Sequence, residues 1–254
     1  MTDETPGLDG GLLLRPVPGG NAFEETVQRL LQTVRLGLVA PGERLPPERE
    51  LATMLGVSRD TLRDAIASLA EAGYLVSRRG RYGGTFVNEE LPAITPPTDA
   101  VGAVGIVGPP APRPKISPAQ IEDTLTLREI LEVGAARHAA ARALSPGERE
   151  QLWATLREAT AATGDDYRRL DSRLHLTIGE LAGSPSLMPL LAEVRMRVNE
   201  LLDSIPLLGP NIANSDEQHE QIVIAILTGR PDAAAQAMTE HLAGTASLLR
   251  GFLE

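Results

Sequence analysis

The sequence predicts a mainly α chain in two parts: an N-terminal winged helix-turn-helix and a C-terminal all-α antiparallel helical bundle. Three observations predict it. Apolar residues recur at helical spacing through residues 21–73 and again from about 119 onward. Two short β-type runs, YLVSR and GTFVN, flank a turn rich in glycine and arginine. Between the two parts, Pro92, Pro96, Pro97, Pro109, Pro110, Pro112, Pro114 and Pro118 interrupt any regular helix, which reads as an extended linker. The expected division is therefore a tail over 1–20, the winged module over 21–90, a proline-rich linker over 91–118 and the helical domain over 119–254.

The first helix is expected to start at Asn21. Asn21 and Glu24 have capping-box spacing, and Phe23, Val27, Leu30, Leu31, Val34 and Leu38 share one face before Gly37 and Gly42. Next, LPPERELATMLG places Pro47 at a helix start, Leu51, Met54 and Leu55 on one face and Gly56 as the stop. Ser58 caps a third helix whose apolar face is Leu62, Ile66, Leu69 and Ala70, closed by Gly73. The hairpin follows and ends near Val87. In the second part, Ser145-Pro146-Gly147-Glu148 is a capping-box start and Ser184-Pro185 begins another helix. Gly164, the Pro206–Pro210 loop and Gly229 mark breaks, for about six helices in all.

Composition narrows the function classes. The chain has no cysteine, which excludes disulfides and thiolate metal sites. MTDETPGLDGG lacks the basic-then-apolar order of a signal peptide, and no apolar run approaches the ~20 residues that span a bilayer. A cytoplasmic protein with no membrane partner is expected. A formal net charge of −10 argues against diffuse nucleic-acid binding through overall charge, though not against a local basic surface.

Such a surface is visible in VSRDTLRDAIASLAEAGYLVSRRGRYGGTFV, residues 57–87. Two helices joined by Gly56-Val57-Ser58 form a helix-turn-helix pattern, in which the second helix enters the major groove by its N-terminal residues. Arg59, Asp60, Thr61 and Arg63 occupy its first turns, on the side away from Leu62 and Ile66. Arginine offers a planar fork to guanine O6 and N7, worth ~1–3 kcal/mol of discrimination. Asp60 at that surface favours cytosine amino groups. Arg78, Arg79 and Arg81 sit at the hairpin tip, where glycines let the backbone approach a phosphate or the minor groove. Surface arginines alone more often just solvate a helix. The helix-turn-helix spacing and the wing together reverse that balance and point to double-stranded DNA.

The stretch PGERLPPERELATMLGVSRDTLRDAIASLAEAGYLVSRRGRYGGTFV resembles the DNA-binding domain of GntR-superfamily transcription regulators. The resemblance is carried by G-x-x-L-P-x-E-R-x-L-A, by G-V-S-R-x-T-L-R-x-A, by G-x-L and by R-G-x-x-G-G-T-F-V. It implies that Arg49 contacts backbone phosphate, that Ser58, Arg59, Thr61 and Arg63 face the major groove, and that Arg79 with Gly80 serve the wing. A homodimer on a pseudo-palindromic operator is expected, because paired recognition helices raise each other's local concentration.

The helical part holds His175, His219 and His241. Asp171 precedes His175 by four residues, so carboxylate and imidazole share a helix face. His219 lies in line with Ile222, Val223 and Ile226, and His241 beside Ala237, Met238 and Leu242, where each helix turns towards the core. A buried imidazole needs partners for both ring nitrogens. One shared divalent cation would satisfy all three rings, and this donor set suits Zn, Ni, Mn or Fe. Taken singly, each histidine is more often a hydrogen-bonded core or surface residue.

Residues 120–250 resemble the helical effector domain, FCD, of the FadR-type subfamily. Its metal-binding members show D-x-x-x-H, then E-H-x-x-I or a variant, then H-L, which fall here on Asp171, His175, His219 and His241; Gln218 replaces the usual glutamate before His219. His138 matches no ligand position and reads as structural. Zinc is the metal expected first, and the resemblance implies a small carboxylate effector held beside the metal. Arg128, in LREILE, is the candidate second anchor, since arginine pairs bidentately with carboxylates. An exposed i,i+4 ion-pair role for Arg128 is the equal alternative. Arg195 and Asn199 are further candidates. The expectation is a ligand-responsive regulator, repressor included, rather than an enzyme. A metal-dependent hydrolase, or a purely structural or metal-sensing site, remains the alternative for the helical part.

Overall fold

The computed structural model describes residues 20–35, 38–80, 83–92 and 117–253. Most of the expected linker, and Arg81 of the wing, lie outside the described residues. Among those described, the chain forms helices α1 (Ala22–Arg35), α2 (Glu48–Leu55) and α3 (Arg59–Glu71), strands β1 (Leu75–Arg78) and β2 (Gly84–Val87), and helices α4 (Pro118–Ala141), α5 (Pro146–Thr160), α6 (Tyr167–Leu181), α7 (Leu187–Leu202), α8 (Gly209–Leu227) and α9 (Pro231–Leu253), with one 3-10 turn at Gly164–Asp166. No helix is long and apolar enough to cross a membrane among the described residues.

Local chemistry explains most boundaries. Gly56 ends α2 at φ +66°, a left-handed conformation that costs a side-chain-bearing residue more. Ser58 Oγ then accepts the Thr61 amide at 3.0 Å and caps α3. Ser117 with Gln120 and Ser145 with Glu148 form full capping boxes at α4 and α5. The hairpin is antiparallel, with Leu75 opposite Val87 and Arg78 opposite Gly84. Residues 42–45 lie along β2 as well: Leu45 N donates to Thr85 O at 2.8 Å and Gly42 N to Val87 O at 3.0 Å.

Three local expectations need correction. Leu38 is exposed, because α1 ends at Arg35 and its helical face stops with it. Ser184-Pro185 lies in the turn before α7, which starts at Leu187. Asn21 and Glu24 send their side chains to α8 and α9 rather than to each other.

Two apolar clusters fill the molecule. The first joins Val27, Leu30 and Leu31 of α1 with Leu51, Leu62 and Leu69, then continues into Ile121 of α4 and Leu248, Leu249 and Phe252 of α9. Tyr74 meets Phe252 edge-on, ring centroids 5.9 Å apart. The second fills the bundle with Leu152, Leu174, Ile178, Val194, Ile222 and Met238. Helix α4 packs against α6, α7, α8 and α9, and so brings four partners around its middle.

Candidate metal centre and nucleic-acid interface

The middle of α4 carries Arg128 and Glu132, one turn apart and both buried. Facing them, α6 presents Asp171 and His175, α7 presents Arg195, α8 presents Gln218 and His219, and α9 presents His241. All of these groups are buried, so they must satisfy one another. One donor atom from each of Asp171, His175, His219 and His241 lies within 4.8 Å of the others. The three imidazoles meet edge-on or tilted, at centroid separations of 4.4 to 5.3 Å. His219 Nε2 lies 3.3 Å from Asp171 Oδ1 and 3.3 Å from His175 Nε2.

A second ring of groups holds the first. His175 Nδ1 is in contact with Glu132 Oε2 at 2.5 Å. His241 Nδ1 lies 3.3 Å from Gln218 Oε1. Arg195 Nη2 donates to Asp171 Oδ2 and, at 3.1 Å, to Ser172 Oγ, which Asn199 Nδ2 also reaches at 3.0 Å. Three of the four donor residues thus have their far atom engaged, which fixes which atom faces the centre. His241 Nε2 and His219 Nδ1 have no hydrogen-bond partner among the described residues. An orphaned buried ring nitrogen aimed into a cluster of donors fits a divalent cation.

Electrostatics favour the ligating forms. Burial holds His175 below the usual histidine range despite the opposing pull of Glu132. Burial, reinforced by the neighbouring His219 and His175, takes His241 well below it. Both shifts favour the neutral ring, the form that offers a lone pair. Burial pulls Asp171 upward, but Arg195, His175 and His219 together outweigh it and keep the carboxyl well below its ordinary value. Glu132 is likewise held down by His175, Arg128 and Arg195 against the effect of burial.

A cavity of about 40 Å³ adjoins the cluster, bounded by Arg128, Tyr167, Asp171, Asn211, Ser215 and His241. Arg128 is buried, not exposed; its Nε donates to Glu132 Oε1 at 3.2 Å and its Nη1 has no partner among the described residues. Arg195 is occupied by Asp171 and Ser172, and Asn199 by Ser172, and neither is among the residues that bound the cavity. His138 is exposed on α4. Sequence reasoning missed Glu132, although its four-residue offset from Arg128 carried the signal. It also missed Tyr167 and Ser215, on α6 and α8, which are far apart in sequence and come together only in the folded chain.

In the N-terminal module, Arg49, Ser58, Arg59, Asp60, Arg63, Arg79 and Gly80 are exposed and Thr61 is half-buried. Ser58 and Thr61 also serve their own helix, with Oγ and Oγ1 2.8 Å apart. Arg63 Nε donates to Glu48 Oε2 at 3.0 Å, a pair between α2 and α3 that the sequence reading did not foresee. Arg59 projects from the first turn of α3, where free backbone N–H groups add a positive field. On the hairpin, Arg78 stacks on the Phe86 ring at 4.6 Å. Gly80 adopts φ +106°, which leaves the tip backbone bare beside Arg79.

Comparison with known proteins follows the same division. The family of bacterial regulatory proteins designated gntR matches residues 23–87, and the FCD domain matches residues 123–244. A protein of Escherichia coli (strain K12), named for regulation of the L-lactate dehydrogenase operon, is 32% identical over 91% of this chain and 87% of its own. A Mycobacterium gastri protein, named as the HTH-type transcriptional regulator RmpR, is 30% identical over 91% of this chain and 81% of its own. The HTH-type transcriptional repressor NanR of Escherichia coli is 26% identical over 98% of this chain and 92% of its own.

Proposed function

The chain belongs to the GntR family of bacterial regulatory proteins and carries an FCD domain, and from that premise we propose that it is a ligand-responsive regulator whose DNA affinity is set by a small carboxylate bound beside a divalent metal. It is a DNA-binding transcription regulator rather than an enzyme, as its relatives are named. Two copies engage a pseudo-palindromic operator through α3 and the wing, with Arg59, Arg63, Asp60 and Thr61 at base edges. Ser58 faces the major groove beside them, while Arg49 serves the phosphate backbone and Arg79 and Gly80 serve the wing. Each contact of this kind falls steeply with salt.

The observation that carries the metal reading is the convergence of Asp171, His175, His219 and His241 from three helices into a buried site where ring nitrogens lack partners. These four residues would hold the ion, zinc foremost. When bound, a divalent cation with open positions supplies a Lewis-acidic anchor for a carboxylate oxygen. Glu132, Gln218 and Arg195 orient the donors. The unpartnered Arg128 Nη1 pairs with the effector's carboxylate, and the Tyr167 and Ser215 hydroxyls offer further hydrogen bonds across the cavity. Differential binding of the acid to two arrangements of the molecule then shifts operator affinity.

The test is a thermal-shift screen of the zinc-loaded protein against small carboxylates, sugar acids and acyl compounds. Lactate belongs in the panel because a relative is named for an L-lactate dehydrogenase operon. Hits are then assayed for release of the DNA upstream of the gene. Stabilisation by an acid that also changes DNA binding supports the reading. DNA binding that responds to zinc alone and to no acid shows a metal sensor instead.

A further inference from the structure

Hydrogen bonds run without a break from the histidine cluster to the first helix of the DNA-binding module. His241 Nδ1 lies 3.3 Å from Gln218 Oε1. Gln218 Nε2 donates to Asn21 Oδ1 at 2.8 Å and to the Gly20 carbonyl at 3.3 Å. Asn21 Nδ2 in turn donates to the carbonyl of Glu240 at 2.6 Å, the residue before His241, so the chain of bonds closes on α9. One turn along α1, Glu24 is 1% exposed and accepts from Asn211 Nδ2 at 2.8 Å and Asn214 Nδ2 at 3.0 Å, both on α8. Asn211 also bounds the cavity beside the cluster.

We propose that Gln218 is the coupling residue of this protein, passing the state of the His241 site through Asn21 to α1 and thence to the recognition helix. The proposal rests on the metal reading above and adds to it the route by which the site is read. Its logic is directional. With His241 Nε2 facing the centre, Nδ1 carries the proton and donates to Gln218 Oε1. That turns the Gln218 NH2 towards Asn21 Oδ1, and Asn21 must then aim its own NH2 at the Glu240 carbonyl. An amide is the group that can do this, because it accepts on one end and donates on the other. A glutamate at 218 could accept from the ring but would confront Asn21 Oδ1 and the Gly20 carbonyl with oxygen.

Two features make α1 an efficient receiver. The contact has no slack: a Cβ on Gly244 of α9 would sit 2.6 Å from Asn21 Oδ1. Beyond Asn21, α1 is locked to α3, since Val27, Leu30 and Leu31 share one apolar cluster with Leu62 and Leu69. A buried polar network that is fully satisfied in one arrangement is costly in any other, so it discriminates between arrangements.

The test uses the full chain with Zn²⁺ alone as the probe. Zn²⁺ affinity is measured by chelator competition, and hydrogen exchange of the α1 amides over 22–35 is compared with and without saturating Zn²⁺. In the unmodified protein Zn²⁺ should slow α1 exchange about tenfold. Asn21→Ala, which touches no proposed ligand, should keep Zn²⁺-dependent protection of α6 and lose that of α1. Gln218→Glu, read on α1 alone, should also lose the Zn²⁺-dependent protection of α1. Equal α1 protection in Asn21→Ala and the unmodified protein overturns the coupling role, as does a metal-loaded unmodified protein whose α1 exchange is unaltered. Failure of the unmodified protein to bind Zn²⁺ is a separate result, seen before any variant is compared, and overturns the metal reading itself.

Discussion

Glu132 Oε2 meets His175 Nδ1 at 2.5 Å, on the side of the ring away from the Nε2 that faces Asp171. The other oxygen of the same carboxylate takes Arg128 Nε at 3.2 Å and lies 3.7 Å from Arg195 Nη1. One buried carboxylate thus orients a metal donor and offsets two guanidinium charges that burial would otherwise make very costly. Glu132→Gln is expected to weaken Zn²⁺ binding about 10- to 100-fold, the usual cost of losing such an outer partner. Chelator competition measures it. An unchanged affinity would mean that packing of α6 alone orients His175.

Arg59 is exposed at the start of α3, whereas Arg63 is tied to Glu48. Arg59→Ala should therefore remove sequence discrimination worth about 1–3 kcal/mol without altering metal content. Arg79→Ala, on the wing, should weaken binding evenly across sequences and reduce the salt slope by about one. Fluorescence anisotropy on the upstream DNA at several salt concentrations separates the two. Identical sequence preference in Arg59→Ala and the unmodified protein would remove Arg59 from the reading surface.

The helix-turn-helix is legible in the sequence because its punctuation is local: Gly56, Ser58 and Gly73 each act on their own helix end. The donor set is legible for a similar reason, since a histidine set into an apolar stripe advertises its own burial. Glu132, Gln218 and Asn21 are not legible in that way. The Arg128 spacing hints at Glu132, but the burial of all three comes from helices distant in sequence that land on them. Asn21 and Glu24 have the spacing of a local capping pair, yet tertiary contacts with α8 and α9 claim both side chains. Leu38 errs in the opposite sense, as an apolar residue beyond the end of the helix that would have buried it.

Asp216 supplies the pH dependence. Burial pushes its carboxyl up to about 6, and Oδ1 has no hydrogen-bond partner among the described residues. A carboxyl raised in the folded state favours folding only while protonated. Its penalty is absent below about pH 4, grows between about 4 and 6, and is complete above 6. Discounted for the solvent that still reaches it, the penalty at pH 7.5 is about 1 kcal/mol. In metal-free protein, Asp216→Asn should raise the melting temperature by roughly 2–4 °C at pH 7.5 and leave it unchanged at pH 4. A gain of equal size at both values would show that the effect is not ionic.

Gly251 and Gly134 test how closely α1 is held to the helical domain. A Cβ on Gly251 of α9 would lie 2.9 Å from the Cα of Gln28 in α1, and backbone cannot step aside as a flexible side chain can. Gly251→Ala should therefore force α1 and α9 apart and destabilise the protein by about 1–3 kcal/mol, the range for an overpacked contact. Gly134 lies within α4 with open space where its Cβ would stand. There the only change is the better helix propensity of alanine, so Gly134→Ala should stabilise by up to about 1 kcal/mol. Denaturant melts of both variants measure the contrast. Because Gly251 touches α1 and no proposed ligand, its variant should retain Zn²⁺ affinity while DNA binding falls. A Gly251→Ala protein as stable as Gly134→Ala would mean that α1 rests on α9 loosely, and the tight seating of the DNA-binding module on the bundle would have to be abandoned.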